Sequence, residues 1–186
     1  MLREDRYAQL IEVASRIVVE DGIGALTMEG LATKAKISKP VVYSHFVDRN
    51  DLLGQLIQAY WREHDAYVPS EPEPGENIAD FTRRSTDAHF EFVTSRSHPI
   101  RQLIRRSFDD PAIAHIVAQR ENEVVAQLAT FAVEHGGLNE TEAQAAATVS
   151  LGALRAASVA AAADPARTET LKAAYIAVSD RLLRLN

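Results

Sequence analysis

Apolar side chains recur along this chain at three- and four-residue steps, and no segment keeps up a two-residue alternation bounded by turns. Tyr7, Ile11, Ala14, Ile17 and Val18 define one face of a first helix. Gly22 and Gly24 are expected to end it, since a chain leaving a helix often needs a left-handed residue. The run GIGAL at 22–26 lacks a preceding strand and a third glycine, so it reads as a helix stop and not as a dinucleotide fingerprint. Thr27 is placed as the N-cap of a second helix, whose apolar side is Leu31, Ala32 and Ala35. Ser38 is expected to cap a third, with Pro40 in its first turn, where a missing amide proton costs little. Asp48 opens a fourth helix through Leu52, Leu53, Leu56, Ile57, Tyr60 and Trp61, with Asp51 near its positive end.

The stretch Val68–Glu76 holds three prolines and a glycine, a composition for a stiff, extended connection and the clearest break in the chain. Beyond it, helices are expected over roughly 77–95, 98–108, 111–135, 139–163 and 165–185. Pro99, Pro111 and Pro165 stand near their starts, Gly136-Gly137 marks a stop, and Asn139 with Glu142 makes a cap pair. The predicted fold is all-α with about nine helices. Residues 1–50 are expected to form a three-helix, helix-turn-helix domain, and residues 51–186 a larger helical bundle.

Composition narrows the function. The chain has 186 residues and no cysteine, which excludes disulfides and thiolate metal sites. Arg3, Glu4, Asp5 and Arg6 at the N-terminus do not suit a signal peptide, and no apolar run is expected to reach the ~18 residues that span a bilayer. A cytoplasmic location without membrane contact is the expectation. Net charge is −6, unfavourable for binding phosphates. Its distribution softens that: residues 1–64 carry −1 and residues 65–186 carry −5, while 27–47 hold Lys34, Lys36 and Lys39 against Glu29 alone. A DNA-facing patch can therefore still be positive.

Two short helices joined by a tight turn place the second in the DNA major groove. On a helical wheel, Val42 and Phe46 of the third helix share the side toward Ile37 and Leu31. Pro40 and Ser44 lie opposite, flanked by Val41 and Tyr43, with Lys39 and His45 between. Such an outward arc suits a groove: Pro40 and Val41 can meet thymine methyls and Lys39 can reach guanine acceptors. Thr27, Tyr43, Ser44 and His45 can donate to phosphates. The bland alternative is a small packing unit whose exposed valine means nothing.

The run from Thr27 to Leu53, TMEGLATKAKISKPVVYSHFVDRNDLL, resembles the signature of tetracycline-repressor-type (TetR family) regulators, with Ser38, Tyr43, His45, Phe46 and Leu52 the most specific part. The resemblance covers about residues 7–60. It implies that Thr27 and Tyr43 hold backbone phosphates, that Lys39, Pro40 and Val41 read bases, and that Arg49 stands beside the DNA backbone. It also implies a repressor that binds a palindromic double-stranded DNA operator as a homodimer and is released by a small-molecule inducer. Two departures stand out. Lys36 replaces the usual turn glycine, forcing a left-handed residue at ~1 kcal/mol or adding a phosphate contact, and the recognition helix has no arginine.

The alanine-rich segment Thr141–Ala163, with Gly152, suits close helix approach. With the last helix and its stripe of Leu171, Tyr175, Val178, Leu182 and Leu185, it is the expected dimer interface, about 139–185. Phe90, Phe108 and His89 are candidate pocket linings, against the plainer reading of aromatics as core. No cofactor or metal is expected: no Glu-x-x-His pair, HExxH, Walker or nucleophile-elbow pattern occurs. A helical carrier or bundle enzyme without DNA binding, and a protein-interaction module, are the competing readings.

Overall fold

The computed structural model describes residues 2–95 and 111–185. Among the described residues it is all-α, with eight α-helices, two short 3-10 turns and no strand. The helix expected at 98–108 lies outside the described residues, and with it the pocket candidate Phe108. The described residues divide into two compact units, 2–63 with 111–117 and 64–95 with 118–185. Two of the junctions fall inside continuous helices, after Glu63 and after Val117.

The first unit contains α1 (Arg3–Glu20), a 3-10 turn (Ile23–Ala25), α2 (Met28–Ala35), α3 (Lys39–Tyr43) and α4 (Arg49–Tyr67) as far as Glu63. α1 ends at Asp21, and Gly22 takes a φ of 82°, so the expected helix stop is a single left-handed glycine. Leu10, Val13, Ala14, Ile17 and Val18 of α1 are buried with Leu31 and Ala32 of α2, Val42, Phe46, and Leu52, Leu53, Leu56 and Ile57 of α4. Each large apolar side chain buried this way contributes about 1.5–3 kcal/mol. Asp48 accepts from the Asp51 amide at 2.9 Å while the Asp51 carboxylate accepts from the Val47 amide at 2.8 Å. These paired bonds set where α4 begins.

The second unit contains the last turn of α4, then α5 (Ile78–Ser95), α6 (Pro111–Gly136) from Ala118, α7 (Glu140–Ala163), a 3-10 turn (Pro165–Arg167) and α8 (Thr168–Leu183). The proline segment forms no helix, as its composition requires. The Asn139 side chain accepts from the Glu142 amide at 2.9 Å and the Glu142 carboxylate from the Asn139 amide at 3.2 Å, completing the predicted capping box. α6 closes against the end of α8: Val125, Ala129, Ala132 and Leu138 share a core with Ala143, Ala146, Ala147, Leu183 and Leu185. At Gly136 a β-carbon would lie 2.0 Å from the Leu183 carbonyl oxygen, so only glycine fits.

α7 corrects one expectation. It is long and apolar enough, by length and composition, to cross a membrane, although no run of that kind was anticipated. Alanine and valine outweigh its polar positions over an 18-residue stretch, whose mean hydropathy is 1.4. Only one side is covered, by Ala143, Ala146, Ala147, Ser150, Ser158 and Ala161. Ala145, Thr148, Val149, Gly152, Ala156 and Val159 form an exposed stripe on the other. On α8, the anticipated stripe turns mostly inward: Leu171, Tyr175 and Leu182 are half-buried and Leu185 is buried. The outward set is Ala173, Ala174, Ala177 and Val178.

Candidate nucleic-acid interface and ligand cavity

The interface is built around the α2–α3 turn. The Thr27 hydroxyl accepts from the Gly30 amide at 2.9 Å, capping α2 and leaving its own proton available to donate. Lys36 sits at φ 55°, ψ 44°, the left-handed conformation that its place in the turn demands. The Lys36 amide donates to the Thr33 carbonyl at 3.2 Å and the Ile37 amide to that of Ala32 at 3.0 Å, closing the helix with a Schellman motif. Ser38 occupies the cap position of α3 but makes no capping bond, a correction to its expected role. The reason is local: Pro40 has no amide proton, and the Val41 amide already donates to the Ser38 carbonyl at 3.0 Å. The Ser38 hydroxyl is exposed.

α3 is five residues long. Val42 and Phe46 are fully buried, and the Tyr7 ring lies 6.0 Å from that of Phe46. Outward stand Lys39, Pro40, Ser44 and Tyr43, the last 50% exposed, with Val41 and His45 half-buried. The helical wheel thus sorted core from surface correctly. Ser44 is less free than expected, because its hydroxyl donates to the Val41 carbonyl at 2.7 Å.

Charge is arranged differently from the local count. Lys34 turns away to Glu20 and Asp21, at 2.8 and 2.9 Å, and Lys39 pairs with Glu29 at 3.1 Å. Lys36 has no acidic partner among the described residues. Positive charge is supplied instead by α1: Arg3 donates to the Ser44 carbonyl at 3.3 Å, at the end of α3. Burial, then the charges of Arg3 and Arg6, hold the His45 imidazole below its usual range, favouring the neutral ring. Arg49 donates to the carbonyls of Leu26 and Ile23 at 2.8 and 3.2 Å, so it ties α4 to the turn preceding Thr27. Arg3 and Glu29 were missed in the sequence, since no spacing rule links positions 41 and 10 residues from their partners.

The second unit contains a cavity of about 450 Å³ lined by Phe81, Leu128, Phe131, Leu154, Tyr175 and Ile176, with polar groups at its edges. His89 lines it, as expected; Phe90 does not, being buried in the core with its ring 6.4 Å from that of Tyr175. A relay of polar groups crosses the wall. The Ser158 hydroxyl donates to the Leu154 carbonyl at 2.7 Å and therefore accepts from His89 Nε2–H at 2.8 Å. His89 Nδ1, 2.9 Å from His64 Nε2, must then accept a hydrogen bond from the His64 Nε2–H. Burial pushes the His89 imidazole down to about 3, so it stays neutral. Asp65 faces His64 Nδ1 at 3.2 Å and receives both of its close bonds from Arg120, at 2.6 and 2.7 Å. Among the described residues no cluster could hold a metal ion.

A short second helix whose outward residues stand on a buried apolar backing, joined to the first by a tight turn, has the form that lays a helix in the DNA major groove. The family model for bacterial regulatory proteins of the tetR family matches residues 10–56. An HTH-type transcriptional activator, FasR of Mycolicibacterium smegmatis, is 28% identical over 116 residues, 60% of this chain; the match spans about half, 52%, of that protein. Two solved structures show the same fold. A putative transcriptional regulator from Pseudomonas aeruginosa PAO1 superposes with a TM-score of 0.82 at 17% identity, covering 100% of this chain and 96% of that one. A putative TetR-family regulator from Rhodococcus sp. gives 0.79 at 19%, covering 96% and 99%. Residues 10–56 are thus similar to the DNA-binding part of the tetR family, and the chain shares the fold of these solved structures.

Proposed function

We propose that the protein binds a palindromic double-stranded DNA operator as a homodimer and is released from it by a small apolar molecule held in the second unit. The observation that carries the reading is the outward set Lys39, Pro40, Val41 and Tyr43, fixed from behind by buried Val42 and Phe46. Lys39, Pro40 and Val41 face base edges, Thr27 and Tyr43 hold phosphates, and Lys36 and His45 lie beside the backbone. Arg49 contributes by holding the turn before Thr27, its guanidinium being spent on two carbonyls.

Dimerisation is supported by the uncovered stripes of α7 and α8, where Val149 is 56% and Val178 46% exposed. A second copy of the chain accounts for this apolar surface and supplies the two-fold symmetry that a palindrome requires. A cavity of about 450 Å³ walled by aromatic and aliphatic side chains is of the size that takes a small ligand. The sign of regulation follows from where the operator lies relative to the promoter, and a promoter fusion reads it directly; repression is the expected sign. Gel-shift titrations of the gene's own upstream region across a salt series test the reading. Tyr43→Phe should weaken binding several-fold on every sequence, whereas Lys39→Ala should also relax base preference. Wild-type protein that ignores that region at low salt would overturn it.

A further inference from the structure

We propose that Glu29 and Lys39 form one reading unit that selects a G·C base pair in each half-site: the ammonium donates to guanine and the carboxylate accepts from the amino group of the paired cytosine. The inference rests on operator binding and goes beyond it. Lys39 is the first residue of α3, the end of a recognition helix that meets base edges. Glu29 lies two positions past the Thr27 cap of α2. Their side chains meet with Nζ 3.1 Å from Oε1, each 57% exposed, so the pair joins the N-terminal ends of both helices. Lys39 cannot enter a groove without either bringing that carboxylate along or abandoning it.

The abandoned arrangement leaves an unpaired carboxylate near a polyanion. The carried arrangement has a matching target. Along the major-groove edge, a G·C pair presents guanine N7 and O6, both acceptors, followed by the cytosine amino donor. A cation and an anion side by side are complementary to that order. An A·T pair instead sets its one donor between two acceptors, so the carboxylate meets repulsion on both sides. The unit also answers a chemical need. No arginine lies between Lys36 and Phe46 to read guanine bidentately, and a lysine alone is a mobile point charge. Glu29 fixes its direction.

The test is selection of binding duplexes from a random library by the full-length chain, followed by titration of the enriched duplex. The same measurement is made with the conserved G·C pair changed to A·T, using wild type, Glu29→Ala, Glu29→Gln, Lys39→Ala and the Glu29→Ala/Lys39→Ala double variant. Wild type should lose about tenfold in affinity on the altered duplex. Each single variant should lose that discrimination, and the double variant should lose nothing further. Thermal melting checks that all variants remain folded. If Glu29→Ala binds every duplex more tightly with base preference unchanged, Glu29 is only a like-charge penalty and the unit is disproved. An enriched site without a G·C pair facing Lys39 disproves it equally. A wild-type chain that enriches no sequence overturns operator binding itself, a separate and distinguishable result.

Discussion

At Lys36 the backbone adopts a conformation that costs any residue with a β-carbon about 1 kcal/mol. Lys36→Gly should therefore raise stability by roughly that amount in urea unfolding. If the lysine also touches a phosphate, the same change should reduce the salt slope of DNA binding by about one. A second residue sets a pH limit. The folded-state value of His89, about 3, lies below that of an exposed imidazole, so the unfolded chain binds the extra proton. Its contribution is complete above about pH 6.5 and is lost as pH falls toward 3, costing about 2 kcal/mol between pH 7 and 5. His89→Gln should flatten this part of the stability profile measured by thermal melting. Lys36 was legible in the sequence because it stands where the resembled signature has its turn glycine. Arg184, left-handed at φ 53° after α8, was not, since nothing near it marks a turn.

Elements were easier to read than their partners. The spans of α5, α6, α7 and the Asn139 cap follow from periodicity, prolines and glycines, all of which act over a few residues. What those rules miss is which face finds company. The last helix looked outward along Leu171 and Tyr175 yet buries much of that stripe within its own unit, leaving alanines and Val178 uncovered. The α6–α8 junction was invisible for the same reason. Gly136 read as a mere stop, whereas it is the point where the Leu183 carbonyl comes too close for a β-carbon. Gly136→Ala should destabilise the fold by about 1–3 kcal/mol, the usual cost of overpacking, and a chemical denaturation midpoint would show it.

At the scale of the whole molecule, the net charge of −6 says little about where DNA binds. Lys34 and Lys39 each spend charge on neighbouring acids, while Arg3 delivers it from a distant helix to the end of α3. Assembly is the corresponding prediction. Val149 stands in the exposed stripe of α7, so Val149→Glu should yield a monomer by light scattering and cut affinity for a palindrome far more than for a single half-site. α3 has one further consequence. Its fold is secured by Val42 and Phe46, which no base can touch, and by a turn closed before it begins. Its outward positions carry almost none of that burden. They are free to vary without a stability penalty, so a lineage could acquire a new operator through changes at Pro40, Val41 or the Lys39–Glu29 pair while leaving the rest of the domain as it is.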